Sequence, residues 1–139
     1  ARLAELPGVT LFDLQRRGRR SAAPLAWTSA GIINLGSGLD TSPHAFYDTA
    51  AIMENLDLVI ACDTSSAHLA GALGVPIFLL LDATPDWRWF DCDDANPWYT
   101  SGRIFRQTTP GDWEEVIDRV YCAVKKLVAE RVPNWVNDT

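Results

Sequence analysis

Nowhere in the 139 residues does an apolar run approach the roughly 20 needed to cross a bilayer, so no membrane-spanning helix is expected. No basic-apolar-small segment opens the chain as a secretion signal. The first residue is Ala1 rather than Met, which reads as a processed chain or a piece of a longer protein. Cysteine is scarce: Cys62, Cys92 and Cys122 are odd in number and widely spaced, and fit neither a zinc pattern nor a disulfide framework. A reducing, cytoplasmic setting is therefore expected, with Cys62 a small buried hydrophobe at a strand end. Positive charge is also short, 12 Lys and Arg against 18 Asp and Glu, for a net charge of −6. Nucleic-acid binding, which depends on Lys and Arg neutralising phosphates, is not expected. The single basic run, Arg16, Arg17, Arg19 and Arg20, reads as a solvated loop. There is no internal repeat and no low-complexity segment. A phosphate-cradling glycine loop is missing too: "LGSGLD" (35–40) has a G-x-G but neither a third glycine nor a helix after it. That counts against a nicotinamide cofactor, and no cofactor or metal is expected.

What is present is globular: 47% hydrophobic and 22% charged residues, in a length that suits one domain spanning 1–139. "GVTLFDLQ" (8–15) and "IINLG" (32–36) read as short strands. A helix is expected after "TSPHAFYD", capped by Ser42 with Pro43 in its first turn, burying Phe46, Thr49, Ala50, Met53 and Leu56. "DLVIAC" (57–62) and "PIFLLL" (76–81) are near-continuous apolar runs, as in parallel strands covered on both sides. Between them a short helix is expected from Ser65 to Leu73, ended by Gly74 and Pro76. Residues 82–107 are irregular and aromatic, with "RIFRQ" (103–107) a further strand. Asp112 and Glu115 open a closing helix to about Arg131. Its apolar stripe is Trp113, Val116, Ile117, Val120, Val124, Leu127 and Val128. Alternating strands and helices give the fold class α/β, a Rossmann-like three-layer domain with a parallel sheet.

In an open parallel sheet, ligands bind beyond the carboxyl ends of the strands. Asp63, Thr64, Ser65 and Ser66 fall at that end of the 57–62 strand, where a helix begins. The first N–H groups of a helix lack internal partners and lie at its positive end, so small hydroxyls there favour a phosphate or another anion. His68 could donate to the same ligand or exchange a proton with it. Asp63 would repel a phosphate, so a sugar hydroxyl or a main-chain amine suits it better. The plainer alternative is that these residues only cap the helix and that His68 is structural.

The stretches "DTAAIMENLDLVIACDTSSAHLAGALGVPIFLLLDATPDWRWF" and "NPWYTSGRIFRQTTPGDWEEVIDRV" resemble the C-terminal part of bacterial tetratricopeptide-repeat proteins. Their last domain is similar to glycosyltransferases of the two-Rossmann-domain (GT-B) type, including the ADP-heptose heptosyltransferases. The resemblance runs from about residue 46 to 121 and is carried mainly by the D-T-x-x-x-H-L-A-G-A-L-G and D-W-R-W blocks. It implies one half of a GT-B fold that binds a nucleotide-diphosphate sugar. Carried over, Asp63, Thr64, Ser65, Ser66 and His68 form the donor-phosphate and sugar-facing edge, although this chain has Ser65 where heptosyltransferases tend to have glycine. Arg88 and Arg103 are the cations expected at the diphosphate, with Arg106 pointed elsewhere by strand alternation. Trp87, Trp89, Trp98 and Tyr99 either shelter a nucleobase or pack the closing helix and Trp113 against the sheet. Asp40, Asp82 and Asp86 are all candidates for the ribose.

Hexosyl or heptosyl transfer would require the missing N-terminal half, which usually supplies the catalytic base. His68 is the one catalytic candidate in this piece, and no acceptor surface is present to place a hydroxyl beside it. The alternative is a non-catalytic protein-interaction domain that keeps the glycosyltransferase fold beside tetratricopeptide repeats. A hydrolase or epimerase of nucleotide sugars would share the fold. The expected partners are thus a nucleotide-diphosphate sugar, the missing domain or repeats of a longer chain, and a second copy meeting at the exposed cleft.

Overall fold

A computed structural model describes residues 2–15, 29–36, 38–41, 45–84, 86–90 and 96–131. The described residues form five strands in chain order: β1 (Phe12–Asp13), β2 (Ile33–Asn34), β3 (Val59–Cys62), β4 (Ile77–Leu81) and β5 (Gly102–Arg106). The described α-helices are α1 (Tyr47–Met53), α2 (Ser65–Ala72) and α3 (Trp113–Arg131). All strand pairs are parallel, in two sheets ordered β1-β2 and β3-β4-β5. The α/β class with a parallel, Rossmann-like sheet is therefore the observed architecture.

The larger sheet is covered on both faces, and the two-residue period of β4 divides the core between them. Ile77, Leu79 and Leu81 pack with Met53 of α1, Ala67 and Ala70 of α2, Trp89 and Ile104. Phe78 and Leu80 turn the other way, to Phe105, Leu6 and the α3 valines Val116, Val120 and Val124. All five residues of β4 are buried, as the uninterrupted "IFLLL" predicts for a central parallel strand. Phe78 and Phe105 meet with ring centroids 4.8 Å apart and planes tilted 52°. Such a pair adds about 0.5–1.5 kcal/mol beyond area burial.

Several expectations are corrected. Strand β3 is an edge rather than a covered strand: Val59 is buried, Ile60 and Ala61 are partly covered, and Cys62 is exposed. A strand needs a neighbour on each side to be enclosed, and among the described residues β3 has only β4. Partial burial of the thiol nevertheless pushes the Cys62 pKa up. In place of strands over 8–15 and 32–36, only two residues of each are paired. The closing helix buries a narrower stripe than its sequence pattern, because Trp113 and Leu127 are exposed.

Helix α1 starts at Tyr47, with Phe46 as its N-cap at φ 69°, so Phe46 lies outside the buried face and is exposed. Ser42 and Pro43, like Cys92 and the Arg16–Arg20 run, lie outside the described residues. The opening N–H groups of α1 are accepted instead by Asp40, eight and nine residues upstream. By contrast, Asp112 does accept the Glu115 N–H at 3.1 Å and caps α3 as expected. Gly74 takes φ +72° just after α2, the left-handed stop that glycine adopts without strain. No described helix is long and apolar enough to cross a membrane.

Candidate functional site at the carboxyl edge of β3

Sheet register fixes which residues share the carboxyl edge. Cys62 lies opposite Leu80, and Leu80 opposite Phe105, so the chain leaves the sheet at Asp63, Asp82 and Gln107. Asp63 and Thr64 make the turn into α2, whose N-cap is Thr64 in an extended conformation.

Thr64 is the N-cap residue of α2 by its place, but not through its side chain. Thr64 makes no side-chain cap hydrogen bond; its hydroxyl turns back and donates to the Cys62 carbonyl at 3.2 Å. The first helical acceptor is the Thr64 carbonyl, taken by the N–H groups of Ala67 (3.0 Å) and His68 (3.3 Å). The N–H groups of Ser65 and Ser66 therefore find no side-chain acceptor among the described residues and sit at the positive, exposed end of a helix packed on the sheet. Ser65 is exposed and Ser66 half-covered, so their hydroxyls stand at the same opening.

His68, one turn in, is held on three sides. Its Nδ1 is 2.9 Å from the Tyr99 hydroxyl, and its ring stacks on Trp89 with centroids 5.3 Å apart and planes 17° apart. Its Nε2 lies 3.8 Å from an Asp63 carboxylate oxygen. The Tyr99 hydroxyl and Nδ1 share a hydrogen bond, whereas at 3.8 Å the Asp63 carboxylate is a charged neighbour of Nε2 rather than a hydrogen-bond partner. His68 and Tyr99 are thus hydrogen-bonded, with Asp63 close by, beside the open end of α2.

Two small residues and one asparagine position Tyr99. A Cβ on Gly71 would lie only 2.3 Å from the Tyr99 ring, so a bare backbone on α2 is what lets the ring reach His68. Glycine inside a helix costs about 0.5–1 kcal/mol against alanine, and this contact is its reason. Asn96 accepts the N–H groups of Trp98 and Tyr99, both at 3.0 Å, and its amide lies where a Cβ on Gly102 would be only 2.6 Å away. Trp89 is fully buried, yet its indole N–H has no acceptor among the described residues. Leaving a buried donor unpaired costs on the order of 1–3 kcal/mol. The indole ring thus carries a polar handicap to lie flat against His68.

The expected cations fare unequally. Arg88 lies on the 3-10 turn Trp87–Trp89 beyond β4, but its guanidinium donates to Asp86 at 2.6 Å and rests over the Trp87 ring. Arg103 pairs with Phe78 in register, three residues before the carboxyl end, with its guanidinium over Phe105 on the α3 side. The sheet does not bring Arg103 to Asp63–His68. Arg106 does reach the carboxyl edge, donating to the Phe90 carbonyl at 2.5 Å and to the Trp89 carbonyl at 3.3 Å. It anchors the aromatic turn to the sheet, a role its alternation alone did not convey.

The aromatic segment also divides. Trp89 is core, packed on the α2 face rather than against α3, whereas Trp87, Phe90 and Trp98 are 71%, 51% and 54% exposed. The Trp98 indole donates to the Arg88 carbonyl at 2.8 Å, which keeps these exposed rings together.

Of the three ribose candidates, Asp40 is buried and spent on α1, accepting from the Asp48 and Thr49 N–H groups and the Thr49 hydroxyl. Asp82 accepts the Thr84 N–H in the loop after β4. Asp86 accepts the Arg88 N–H, and that bond, with the guanidinium of the same residue, holds its carboxyl below the ordinary range. Among the described residues no group of three His, Cys, Asp or Glu side chains is placed to hold a metal ion.

Against known proteins, no family model matches the chain and no solved structure does. The chain is similar to Protein FlbA of Caulobacter vibrioides (strain ATCC 19089 / CIP 103742 / CB 15), 32% identical over 130 residues. That alignment takes in 88% of this chain and 20% of FlbA, so the chain spans about a fifth of that relative's length.

Proposed function

We propose that the domain binds the diphosphate of a nucleotide-diphosphate sugar at the Asp63–His68 edge, as the donor-binding half of a glycosyltransferase-like protein. The observation that carries the reading is the uncapped start of α2, with the Ser65 and Ser66 N–H groups unclaimed beside an immobilised histidine. A diphosphate oxygen would accept from these amides and from the nearby hydroxyls. Asp63, unsuited to phosphate, would face a sugar hydroxyl, with the His68 ring proton between carboxylate and ligand. The exposed rings Trp87 and Trp98 provide stacking surface for a base. The acceptor and the catalytic base of glycosyl transfer would come from another domain.

The same exposed rings favour a second reading, a protein-interaction domain that keeps the fold. Titration with ADP, GDP, UDP and CDP separates the two. The donor-site reading expects one of them to bind and Ser66→Asp, which sets a negative charge at the helix start, to weaken binding at least about tenfold. Saturable binding untouched by Ser66→Asp and Thr64→Val would remove the site assignment, and no binding to a folded domain would favour the interaction module.

A further inference from the structure

The segment after β4 displays more aromatic surface than its packing uses. Trp89 and Tyr99 join the core on the α2 face, but Trp87, Phe90 and Trp98 stand largely in solvent. Phe90 and Trp98 adjoin, with centroids 6.2 Å apart and planes tilted 30°, and Trp87 opens the same turn. Single exposed rings are ordinary, whereas three on one short stretch form the kind of patch that marks a contact surface. The main chain is also held in a costly shape to keep them there. Phe90 has φ 44° and ψ −171°, a conformation that glycine adopts freely and that strains any residue with a Cβ. Three hydrogen bonds sustain it. The Phe90 carbonyl accepts from Arg106 at 2.5 Å, the Phe90 N–H donates to the Trp87 carbonyl at 3.3 Å, and the Trp98 indole is fastened to the Arg88 carbonyl. Strain maintained around a ring that the core does not use points to an outside partner for that ring.

The charges beside the rings set the sign of the partner. Asp82 and Asp86 are exposed on the loop that carries them, and Asp82 commits one oxygen to the Thr84 N–H. The nearby cations are spent, Arg106 on the turn carbonyls and Arg88 on Asp86. What faces solvent is therefore aromatic faces beside carboxylates. Arg88 itself displays the contact that such a surface makes: its guanidinium lies 5.0 Å from the Trp87 ring centroid and 2.6 Å from Asp86. A guanidinium is planar and weakly hydrated, so it stacks on a ring while its N–H groups reach a carboxylate, which an ammonium does less well. Among the described residues, Phe90 and Trp98 carry no such cation. The net charge of −6 also favours the approach of a basic partner.

We propose that the Trp87–Phe90–Trp98 surface docks an arginine-bearing segment of a partner protein, with guanidinium groups on the Phe90 and Trp98 faces and Asp82 and Asp86 as their counter-charges. Rings that stand outward on a turn suit an extended segment better than a small free cation, and a turn already pinned by hydrogen bonds loses little freedom on binding. The inference rests on the second reading of these rings given above and leaves the diphosphate site at Ser65 and Ser66 to its own test.

Nitrogen–proton NMR of the 139-residue chain, followed at the Trp87 and Trp98 indoles, tests the proposal with short synthetic peptides of alternating glycine and arginine, glycine and lysine, or glycine and glutamate. The Gly–Arg peptide should move both indole signals saturably, the Gly–Lys peptide should bind at least about tenfold more weakly, and the Gly–Glu peptide should do nothing. Trp98→Ala should weaken Gly–Arg binding about tenfold or more, and Asp82→Asn about threefold. Glu130→Gln, which removes a carboxylate on α3, should leave it unchanged. Phe90→Gly separates display from packing: it relieves the strained φ and should not lower the thermal midpoint, yet should weaken the peptide as Trp98→Ala does. Equal affinity for the arginine and lysine peptides, or an equal loss in Asp82→Asn and Glu130→Gln, would reduce the effect to bulk charge and overturn the choice of arginine. Indoles that ignore the Gly–Arg peptide would overturn the proposal altogether. If they answer to ADP, GDP, UDP or CDP instead, a nucleobase is the occupant, and if they broaden with protein concentration alone, a second copy is. The Ser65 and Ser66 amides report the diphosphate reading in the same spectra, so either can fail without the other.

Discussion

The two ends of the central strands make different demands on the sequence. Along β4 every residue is buried and no polar side chain is involved, so each position needs only to be apolar and of suitable size. At the carboxyl edge, the orientation of one histidine depends on Asp63, Trp89, Tyr99 and Gly71, drawn from four segments. The first region tolerates exchange of one apolar residue for another. The second depends on contacts from several segments at once, so a change at any of them is expected to alter how His68 is held.

The largest expected loss is on the packing side. Phe105→Ala removes a fully buried ring between Phe78 and the α3 valines and should destabilise by about 3–5 kcal/mol in urea unfolding. Phe105→Leu should recover most of that, as a region that asks only for apolar volume should allow. Gly71→Ala is next, at about 1–3 kcal/mol from the Tyr99 clash, offset in part by the better helix propensity of alanine. Its distinguishing effect is on the His68 ring resonances, which should move as Tyr99 is displaced. An Ala substitution that stabilises and leaves His68 unmoved would show that the close approach is dispensable.

Tyr99→Phe tests the edge alone, keeping the ring and deleting the hydroxyl that meets Nδ1. It should cost about 1 kcal/mol and shift the balance between the two tautomers of His68, read from ring nitrogen shifts. Smallest is the Asp86 cap. Its carboxyl pKa is lowered in the folded state, foremost by the Arg88 N–H, so its contribution is complete above the ordinary carboxylate range. It is lost as pH falls through the lowered value. Tryptophan fluorescence from the Trp87–Trp98 region should therefore change in that acidic window, and Asp86→Asn should abolish the change.

The same contrast explains what was legible in the sequence. The runs "IFLLL" and "VIAC", the Gly74 stop and the Asp112 cap each depend on neighbours within a few residues, and the structure follows them closely. The helix start at Asp63–Ser66 was also local and readable. The exposure of Cys62 was not, because whether a strand is central or an edge is decided by another strand. Nor was the cap of α1 by Asp40, or the pairing of Tyr99 with His68 across 31 residues. The one hint of the latter was Gly71, a helix-weakening residue in the middle of a short helix. Arg103 was singled out by its charge, as one of the few cations an acidic domain could turn to a diphosphate, whereas strand register sets its guanidinium over Phe105.

The central claim is that the start of α2 is an anion site rather than a finished helix cap. The most direct measurement is a nitrogen–proton NMR titration of the domain with ADP, GDP, UDP and CDP, following the Ser65 and Ser66 amides and the His68 ring. The account predicts that one nucleoside diphosphate shifts these signals together and saturably, while the β4 amides stay in place. Binding that moves other regions and leaves Ser65, Ser66 and His68 unchanged would contradict it, as would silence from all four nucleotides.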